Sequence, residues 1–420
     1  MTRAVLTEIV DQHAEEAAFL WILRNEVIRA PNQNLDSLAD LDERIDAHLD
    51  GLRVAGAHGW ETCVDQLAWR EAGEVFAAAY IALQGRIGRR LDVVLDVASE
   101  SIELSRGFVG ALAWLPYSDV KRTVASFLNS DDRIVRRIGL AASAAHRRDP
   151  GVALGIAALD SDLFLRARAL KAAAELGRRD LLPLCAGDTG DGSSVLRFWN
   201  AWSAALLGDD QSTGALREIA RPGDPHAEAA ADLATRRMAH NDALFWHGEL
   251  ASSAASARLA IFVAGALGDP SLVPWLLDAM HREGLARAAG EAFTSITGVE
   301  LSGARFSAMR PDGFESGPND DPNDDDVAID PDEHLPWPQP AAVARWWSAN
   351  SGSFVAGERY LRGRPISPTV LQEVLLRGRQ RQRAAAALEL VLRQPGRPLF
   401  EIRARADHQL RTLGGSSQQQ

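Results

Sequence analysis

Apolar residues recur at three- and four-residue steps over most of the chain, which is the pattern of amphipathic helices. One such stripe consists of Leu35, Leu38, Leu41, Ile45, Leu49 and Leu52. An opening helix over residues 2–29 is expected to end before Ala30-Pro31, because proline disfavours helix in the residue that precedes it. Alternating patterns typical of strands are sparse. The sequence therefore predicts an all-α protein.

The middle of the chain repeats with a period near thirty residues. Residues 131–150 resemble residues 161–180, and Asp131 and Asp162 are 31 positions apart. Each unit has an alanine-rich helix, a Gly or basic residue, an Asp and a second apolar segment. Paired helices with this period are typical of stacked helical repeats, and the recurring Asp is expected to cap the next helix. We predict a HEAT-like, right-handed α-solenoid of roughly seven to nine antiparallel helix pairs.

The repeat pattern stops near residue 300, and a stretch rich in Pro, Asp and Gly follows before helical patterning returns at Pro340. Regular helix is not expected through that stretch. The predicted segments are an N-terminal helical cap (1–60), a HEAT-like repeat array (61–300), an irregular acidic Pro-rich loop or linker (301–340), a basic C-terminal helical module (341–412) and a disordered tail (413–420).

The charge is unevenly distributed along the chain. The net charge is -12, yet residues 345–411 contain thirteen arginines against five acidic residues. An acidic chain is a poor general binder of nucleic acid or anionic membranes, and the repeat region is the acidic part. We therefore expect no membrane partner and no nucleic-acid partner.

The location can be predicted from the cysteines and the apolar runs. Cys63 and Cys185 are the only cysteines, which favours a reducing compartment over a disulfide framework. The N-terminus lacks an uninterrupted apolar signal-peptide region, and the longest apolar run, residues 259–267, is too short to span a bilayer. A soluble, cytoplasmic protein is expected.

The acidic stretch is the first candidate for chemistry. Asp321, Asn323 and Asp325 lie at alternate positions, as calcium ligands do, but Asp326 and Asp332 occupy the places where a calcium loop needs Gly and Glu. A solvated loop is the preferred interpretation. A further hypothesis is that residues 319–333 neutralise the Arg-rich C-terminal segment.

No motif for catalysis is present. The chain has no GxSxG elbow, no GxGxxG or Walker phosphate loop, and no HExxH pair. We therefore predict no catalytic residue, no metal ligand and no cofactor, and expect that the protein is not an enzyme.

Aromatic and arginine side chains are the candidates for partner binding, since Trp and Arg are enriched at binding hot spots. The candidate residues are Arg197, Trp199, Trp202, Trp337, Arg345, Trp346 and Trp347. Each tryptophan taken singly is also explained by packing, either in the repeat core or between the C-terminal segment and the last repeat.

Several stretches together resemble a proteobacterial family of proteins with HEAT-like repeats. They include HAEEAAFLWILRNEVIRAP, LDERIDAHLDGLRVAG, GEVFAAAYIAL, FTSITGVEL, DPDEHLPWPQPAAVARWW and RGRQRQRAAAALEL, and the resemblance extends from near residue 7 to about residue 405. Members are often encoded beside type VI secretion components and their cargo. The resemblance implies an accessory or effector-handling role, and it brings no catalytic residues with it.

The predicted function is a non-enzymatic protein-binding scaffold or adaptor, whose partner is a secretion-system component or cargo. An immunity protein that binds a toxin is one alternative. Another is a repeat-fold enzyme, similar to bilin lyases or DNA glycosylases, or a nucleic-acid-binding protein, with a site assembled from scattered residues. The oligomeric state is left open by the sequence.

Overall fold

The computed structural model describes residues 6–186, 194–317 and 330–416. Within these ranges the chain forms 22 α-helices, and its strands form a single two-stranded antiparallel hairpin. The prediction of an all-α fold is therefore confirmed. None of the described helices combines the length and the apolar character that crossing a bilayer requires.

Backbone contacts divide the chain into two compact units. The first comprises Met1–Arg29, Gln33–Gly208 and Gln394–Gln420, and the second comprises Ala30–Asn32 and Asp209–Arg393. The chain thus leaves the first unit after Gly208 and returns to it at Gln394. The five segments predicted from the sequence are a different division and stay a prediction.

The first unit contains thirteen of the described helices. They are α1 (Thr7–Val27), α2 (Leu35–Ala55), α3 (Ala57–Gln66), α4 (Ala72–Gly85), α5 (Gly88–Ala98), α6 (Ile102–Trp114), α7 (Tyr117–Leu128), α8 (Arg133–Ala145), α9 (Val152–Ala158), α10 (Leu163–Glu175), α11 (Leu182–Cys185), α12 (Ser194–Leu207) and α22 (Ala406–Ser416). Short 3-10 turns occur at Leu67–Trp69 and Arg179–Leu181.

Small residues allow the helices of the first unit to stack closely. Helices α1, α4, α6, α8, α10 and α12 pack against one another in that order, and α5, α7, α9 and α11 each pack on a neighbour in this row. A Cβ at Gly107 would lie 2.0 Å from the carbonyl oxygen of Ala72, so α4 and α6 approach too closely for a side chain there. Phe76 and Phe108 are fully buried in the resulting core.

Aspartates begin two consecutive helices of this row. The carboxylate of Asp162 accepts a hydrogen bond from the Leu165 amide (2.7 Å) at the start of α10, as predicted. At the start of α8 the capping residue is Asp132, which accepts from the Ile134 amide (2.6 Å). The predicted cap at Asp131 is therefore displaced by one residue.

The second unit contains nine of the described helices. They are α13 (Ser212–Ile219), α14 (Ala227–Arg237), α15 (His240–Ala251), α16 (Ala257–Leu267), α17 (Val273–Ala279), α18 (Glu283–Thr297), α19 (Pro340–Asn350), α20 (Pro368–Arg377) and α21 (Gln380–Arg393). Its hairpin pairs β1 (Tyr360–Leu361) with β2 (Arg364–Pro365). Turns of 3-10 helix occur at Ala254–Ser256, Pro270–Leu272 and Ser351–Ser353.

Helices α14, α16 and α18 form the central row of the second unit, with α13, α15 and α17 packed on them. The later segment is joined to this row by buried charge pairs. The carboxylate of Glu389 on α21 accepts from Arg236 on α14 (2.9 Å) and from Arg359 (2.5 Å). Between Thr297 and Pro340, the described residues contain no helix, as the sequence predicts.

Most of the acidic stretch, including the candidate calcium positions Asp321, Asn323, Asp325 and Asp326, lies outside the described residues. Its described end, Asp332, pairs with Arg258 on α16 at 2.7 Å.

The neighbouring Asp330 pairs with Arg287 on α18 at 2.6 Å. The C-terminal arginines have other acidic partners, because Arg379 pairs with Glu300 (2.8 Å) and Arg381 with Glu291 (2.7 Å). The described carboxylates of this stretch thus neutralise the repeat helices α16 and α18.

Candidate anion-binding cleft

A cleft of about 510 Å³ lies within the first unit. It is lined by one face of each of α1, α6, α8, α10 and α12, together with residues 401–408. On α10 the lining side chains are Phe164, Ala167, Arg168 and Lys171, whose three- and four-residue steps place them on one helical face. The stacked row of helices thus builds the cleft from equivalent faces.

Cationic side chains dominate the charged part of the lining. Eight of them contribute to it, namely Arg24, Arg29, Arg106, Arg137, Arg168, Lys171, Arg403 and Arg405, against one carboxylate, that of Glu401. The sequence interpretation took the repeat region as acidic because it summed charges along the chain. The helices sort those charges by face, so an acidic region of sequence carries a basic cleft.

Three of the arginines occupy equivalent positions in successive helices. Arg106, Arg137 and Arg168 are each 31 residues apart, and they lie on α6, α8 and α10. The next position in this series, on α12, is Trp199, which also lines the cleft. We call the three arginines the arginine ladder. The period of 31 residues is present in the sequence, but the sequence alone does not show that these arginines line one cleft.

Arg137 is the member of the ladder that lacks an acidic partner. Its guanidinium donates to Ser105 Oγ at 2.6 Å, and it makes no ion pair with the described residues. Burial lowers the pKa of Arg137, and the neighbouring Arg168 lowers it further. Its positive charge is therefore available for a ligand in the cleft.

Arg168 belongs to a network of charges beneath the cleft. It pairs with Glu175 on the same helix at 2.6 Å, while its Nε is buried without a hydrogen-bond partner among the described residues. Arg403 lies 3.4 Å from Glu175 and 2.8 Å from Glu401, and Glu401 also pairs with Arg147 at 3.0 Å.

The two glutamates of this network are held in the ionised state. Burial alone would raise the pKa of Glu175, but Arg168, Lys171 and Arg403 outweigh it and lower it to about 2. Arg403 and Arg147 likewise overcome burial and hold the pKa of Glu401 well below its usual range. Both carboxylates are thus fully charged at neutral pH and already shared among arginines.

Lys171 lies between this network and an aromatic wall. Its Nζ is 4.1 Å from the centre of the Trp199 ring and makes no hydrogen bond or ion pair to the residues that the structure describes. Burial lowers the pKa of Lys171 to about 7; Glu175 opposes this shift, and Arg403 and Arg168 add to it. Together with Arg137, Lys171 leaves the cleft with excess positive charge.

The C-terminal part of the first unit fixes one wall of the cleft. Arg24 donates to the carbonyl oxygens of Arg403 (2.9 Å) and Ala404 (3.0 Å), and the Ala406 amide donates to Asp42 (2.7 Å). Arg24 also forms a buried ion pair with Asp42. These buried contacts attach the wall to α1 and α2.

The partner-binding residues predicted from the sequence fall in both units. In the first unit, Trp199 lines the cleft. The ring of Trp202 packs edge-on against the ring of Trp199, with 5.5 Å between their centres. Arg197 is exposed on the same helix. The sequence thus identified one aromatic member of the cleft and missed its arginine ladder and Lys171.

In the second unit, the predicted tryptophans make internal contacts. Trp346 packs edge-on against Phe293 (5.8 Å between ring centres). Trp347 packs against Phe354 (5.4 Å). Their roles in partner binding stay a prediction.

Trp337 lies 4.7 Å from the guanidinium of Arg287, and Arg345 is exposed on α19. The roles of Trp337 and Arg345 in partner binding also stay a prediction.

The described ranges contain no group of three or more His, Cys, Asp or Glu side chains that could hold a metal ion. Cys63 and Cys185 are buried free thiols, and burial raises the pKa of each to about 12. Thiolate chemistry at neutral pH is therefore disfavoured at both positions.

Comparisons with protein-family models, with curated proteins and with solved structures find no match for this chain. The chemistry of the cleft therefore supplies the basis for a functional proposal.

Proposed function

We propose that the protein is a binding scaffold or adaptor whose first unit captures an acidic segment of a partner protein in the cationic cleft. The arginine ladder is the observation that carries this proposal. Charged groups at equivalent positions of stacked helices suit an elongated ligand with a repeated negative charge, because α6, α8 and α10 each present an arginine to it.

The spacing of the ladder matches an extended polypeptide. Helices that pack side by side are about 8–10 Å apart, so Arg106, Arg137 and Arg168 recur at about that interval. An extended chain of the polyproline-II type has three residues per turn and advances about 3.1 Å per residue, so carboxylates three residues apart lie on one face and recur at about 9 Å. A segment with Asp or Glu at every third position is therefore the expected ligand.

A protein partner is favoured over nucleic acid by an exposed apolar face on α9. Val152, Ile156 and Leu159 are 82%, 68% and 69% exposed, and their spacing places them on one side of the helix. Such faces are typical of protein interfaces. The net charge of -12 also repels a nucleic acid more strongly than a sparsely charged peptide.

The proposal is tested with a fluorescent peptide that has glutamate at every third position, measured by fluorescence anisotropy at physiological salt. Arg106→Gln and Arg137→Gln remove two rungs of the ladder without disturbing the buried Arg168–Glu175 pair. We expect each to weaken binding about tenfold, the usual effect of losing a charge-assisted hydrogen bond. A peptide with glutamine in place of glutamate should not bind.

Arg217→Gln is the matched control, because Arg217 forms an exposed pair with Glu249 in the second unit. It should leave peptide binding unchanged. Equal peptide binding by the wild type and the ladder variants would overturn the proposal. A single-stranded oligonucleotide that binds more tightly than the peptide, and through the same arginines, would favour the nucleic-acid alternative.

The resemblance to proteins encoded beside type VI secretion genes suggests where the partner is sought. On this proposal it is a cytoplasmic secretion component or cargo encoded near the gene for this chain. Co-purification of a neighbouring gene product with the wild type and Arg217→Gln, but not with Arg137→Gln, would identify it. Retention of that product by Arg137→Gln would place its binding surface elsewhere.

A further inference from the structure

Lysine is rare in this chain, which has Lys121 and Lys171 among its 45 basic residues. Lys121 is exposed on α7, whereas Lys171 lines the cleft with its Nζ over the ring of Trp199. Most cationic positions of the cleft are arginines, which suit anion binding but are not nucleophiles. The amine of Lys171 is thus a chemically distinct group in the cleft.

From this arrangement we propose that Lys171 is an amine nucleophile that forms a reversible imine with a small aldehyde or ketone bearing a phosphate or carboxylate group. The cleft volume of about 510 Å³ lies in the range of small-molecule sites. Arg137, which has no acidic partner among the described residues, is placed to hold the anionic group. Trp199 supplies a flat apolar wall for the carbonyl-bearing part.

The state of the amine fits this role. An imine forms from the neutral amine, and an ordinary lysine is almost wholly protonated at neutral pH. Burial lowers the pKa of Lys171 to about 7, so a large fraction is neutral there. The charged groups that act on it are Arg168 and Glu175 on α10, and Glu401 and Arg403 of the C-terminal part; Arg137 on α8 lines the same cleft.

The glutamates near Lys171 leave it without a carboxylate partner. Glu175 is paired with Arg168 and lies near Arg403, and Glu401 is paired with Arg403 and Arg147. A carboxylate bound directly to the amine would hold its proton, and no such ion pair is present among the described residues.

The reaction needs no co-reactant. The lone pair of Nζ attacks the carbonyl carbon, a C–N bond forms, and a proton moves from nitrogen to oxygen to give a carbinolamine. The C–O bond then breaks, and the oxygen leaves as water with both hydrogens of the original amine. The product is a neutral C=N bond between the ligand and Lys171, and water reverses the reaction. The inference does not rest on peptide capture, but the two ligands would compete because both would contact Arg137.

Pyridoxal 5′-phosphate, an aldehyde that carries a phosphate, is the probe for the test. The wild-type protein is incubated with it at neutral pH, the imine is reduced with borohydride, and the labelled lysine is identified by peptide mass spectrometry. Lys121 is an internal reference in the same chain. We expect Lys171 to label at least about tenfold faster than Lys121, given its larger fraction of neutral amine.

Two variants, together with pyridoxal as a second probe that lacks the phosphate, separate the role of Lys171 from that of Arg137. Lys171→Arg keeps the charge and should abolish labelling at that position. Arg137→Gln should reduce labelling by pyridoxal 5′-phosphate about fivefold, the effect of losing one phosphate contact, and leave labelling by pyridoxal unchanged. Equal rates at Lys171 and Lys121 in the wild type overturn the proposal. Labelling of Lys171 that is as fast with pyridoxal as with its phosphate also overturns it, since the arginine would then hold no anionic group.

Discussion

Residues of the same type in this chain lie in different surroundings, as two arginines and the two lysines show. Arg137 and Arg217 have the same side chain, yet Arg137 is half-buried in a cleft with a hydroxyl partner and Arg217 is paired with an exposed glutamate. The pKa of Lys171 is about 7, whereas Lys121 is exposed to solvent. The tertiary environment therefore decides which residue can act on a ligand.

The lowered pKa of Lys171 predicts how stability depends on pH. Between pH 7 and the ordinary lysine pKa, the unfolded chain holds a proton that the folded chain has lost, so the free energy of unfolding rises with pH. Relative to Lys171→Met, the wild type should gain up to about 1.4 kcal/mol per pH unit in this window. Urea unfolding at several pH values between 7 and 10 measures the difference.

Lys121→Met provides the control for this measurement. Because Lys121 is exposed on α7 and lies outside the cleft, this variant shows the effect of replacing a lysine elsewhere in the chain over the same pH range. A difference between the wild type and Lys171→Met that stays constant from pH 7 to 10 would show that the folded-state pKa of Lys171 is ordinary.

At the scale of the helix, the sequence correctly predicted features that depend on neighbouring residues, namely an apolar stripe and a helix cap. The predicted stripe of α2 is buried at every position, and a capping aspartate begins α10. The arginine ladder was missed because a solvent-facing arginine and one that faces a cleft look alike in sequence. The 31-residue period is present in the sequence, but only the packing of the helices shows which of its positions line the cleft.

The N-terminal cap of α8 permits a prediction in which the preceding residue, Asp131, serves as the control. Asp132 accepts hydrogen bonds from two amides of the first turn, whereas Asp131 does not cap this helix. Asp132→Ala should lower the free energy of unfolding by about 1 kcal/mol, and Asp131→Ala should leave it nearly unchanged. Urea titration of the two variants checks this. Equal effects would contradict the assignment of Asp132 as the capping residue.

At the scale of the whole molecule, the chain order and the compact units do not coincide. Residues 209–393 form most of the second unit, and the chain on both sides of them belongs to the first. The sequence could not predict this, because the return of residues 394–416 depends on pairings of distant residues such as Arg24 with the Arg403 carbonyl. The high arginine content of residues 394–411 places them in one predicted module with residues 341–393.

Removal of the chain after Arg393 should therefore destabilise the first unit selectively. The truncated chain lacks Glu401 and Arg403, which leaves Arg147 and Glu175 with fewer charge partners. Loss of buried partners of this kind costs about 3–5 kcal/mol. Hydrogen exchange should show faster exchange in α1, α2 and α10, with α16 and α18 unchanged.

Truncation after Leu413 is the control for this experiment. It removes the exposed Gly414 and Gly415 and the residues beyond them, so exchange in α1, α2 and α10 should match that of the full chain. If truncation after Arg393 lowered protection from exchange equally in both units, the effect would not be selective for the first unit.

The return of the chain to the first unit has a consequence for biosynthesis. Ribosomes add about 5–20 residues per second, so translation of residues 209–393 occupies roughly ten to forty seconds. Throughout that interval the nascent first unit lacks Glu401 and Arg403, and Glu175 has not met Arg403. The basic wall is completed only when residues 401–405 have been made, so a ligand reaches a finished cleft only on a chain that has been translated past that point.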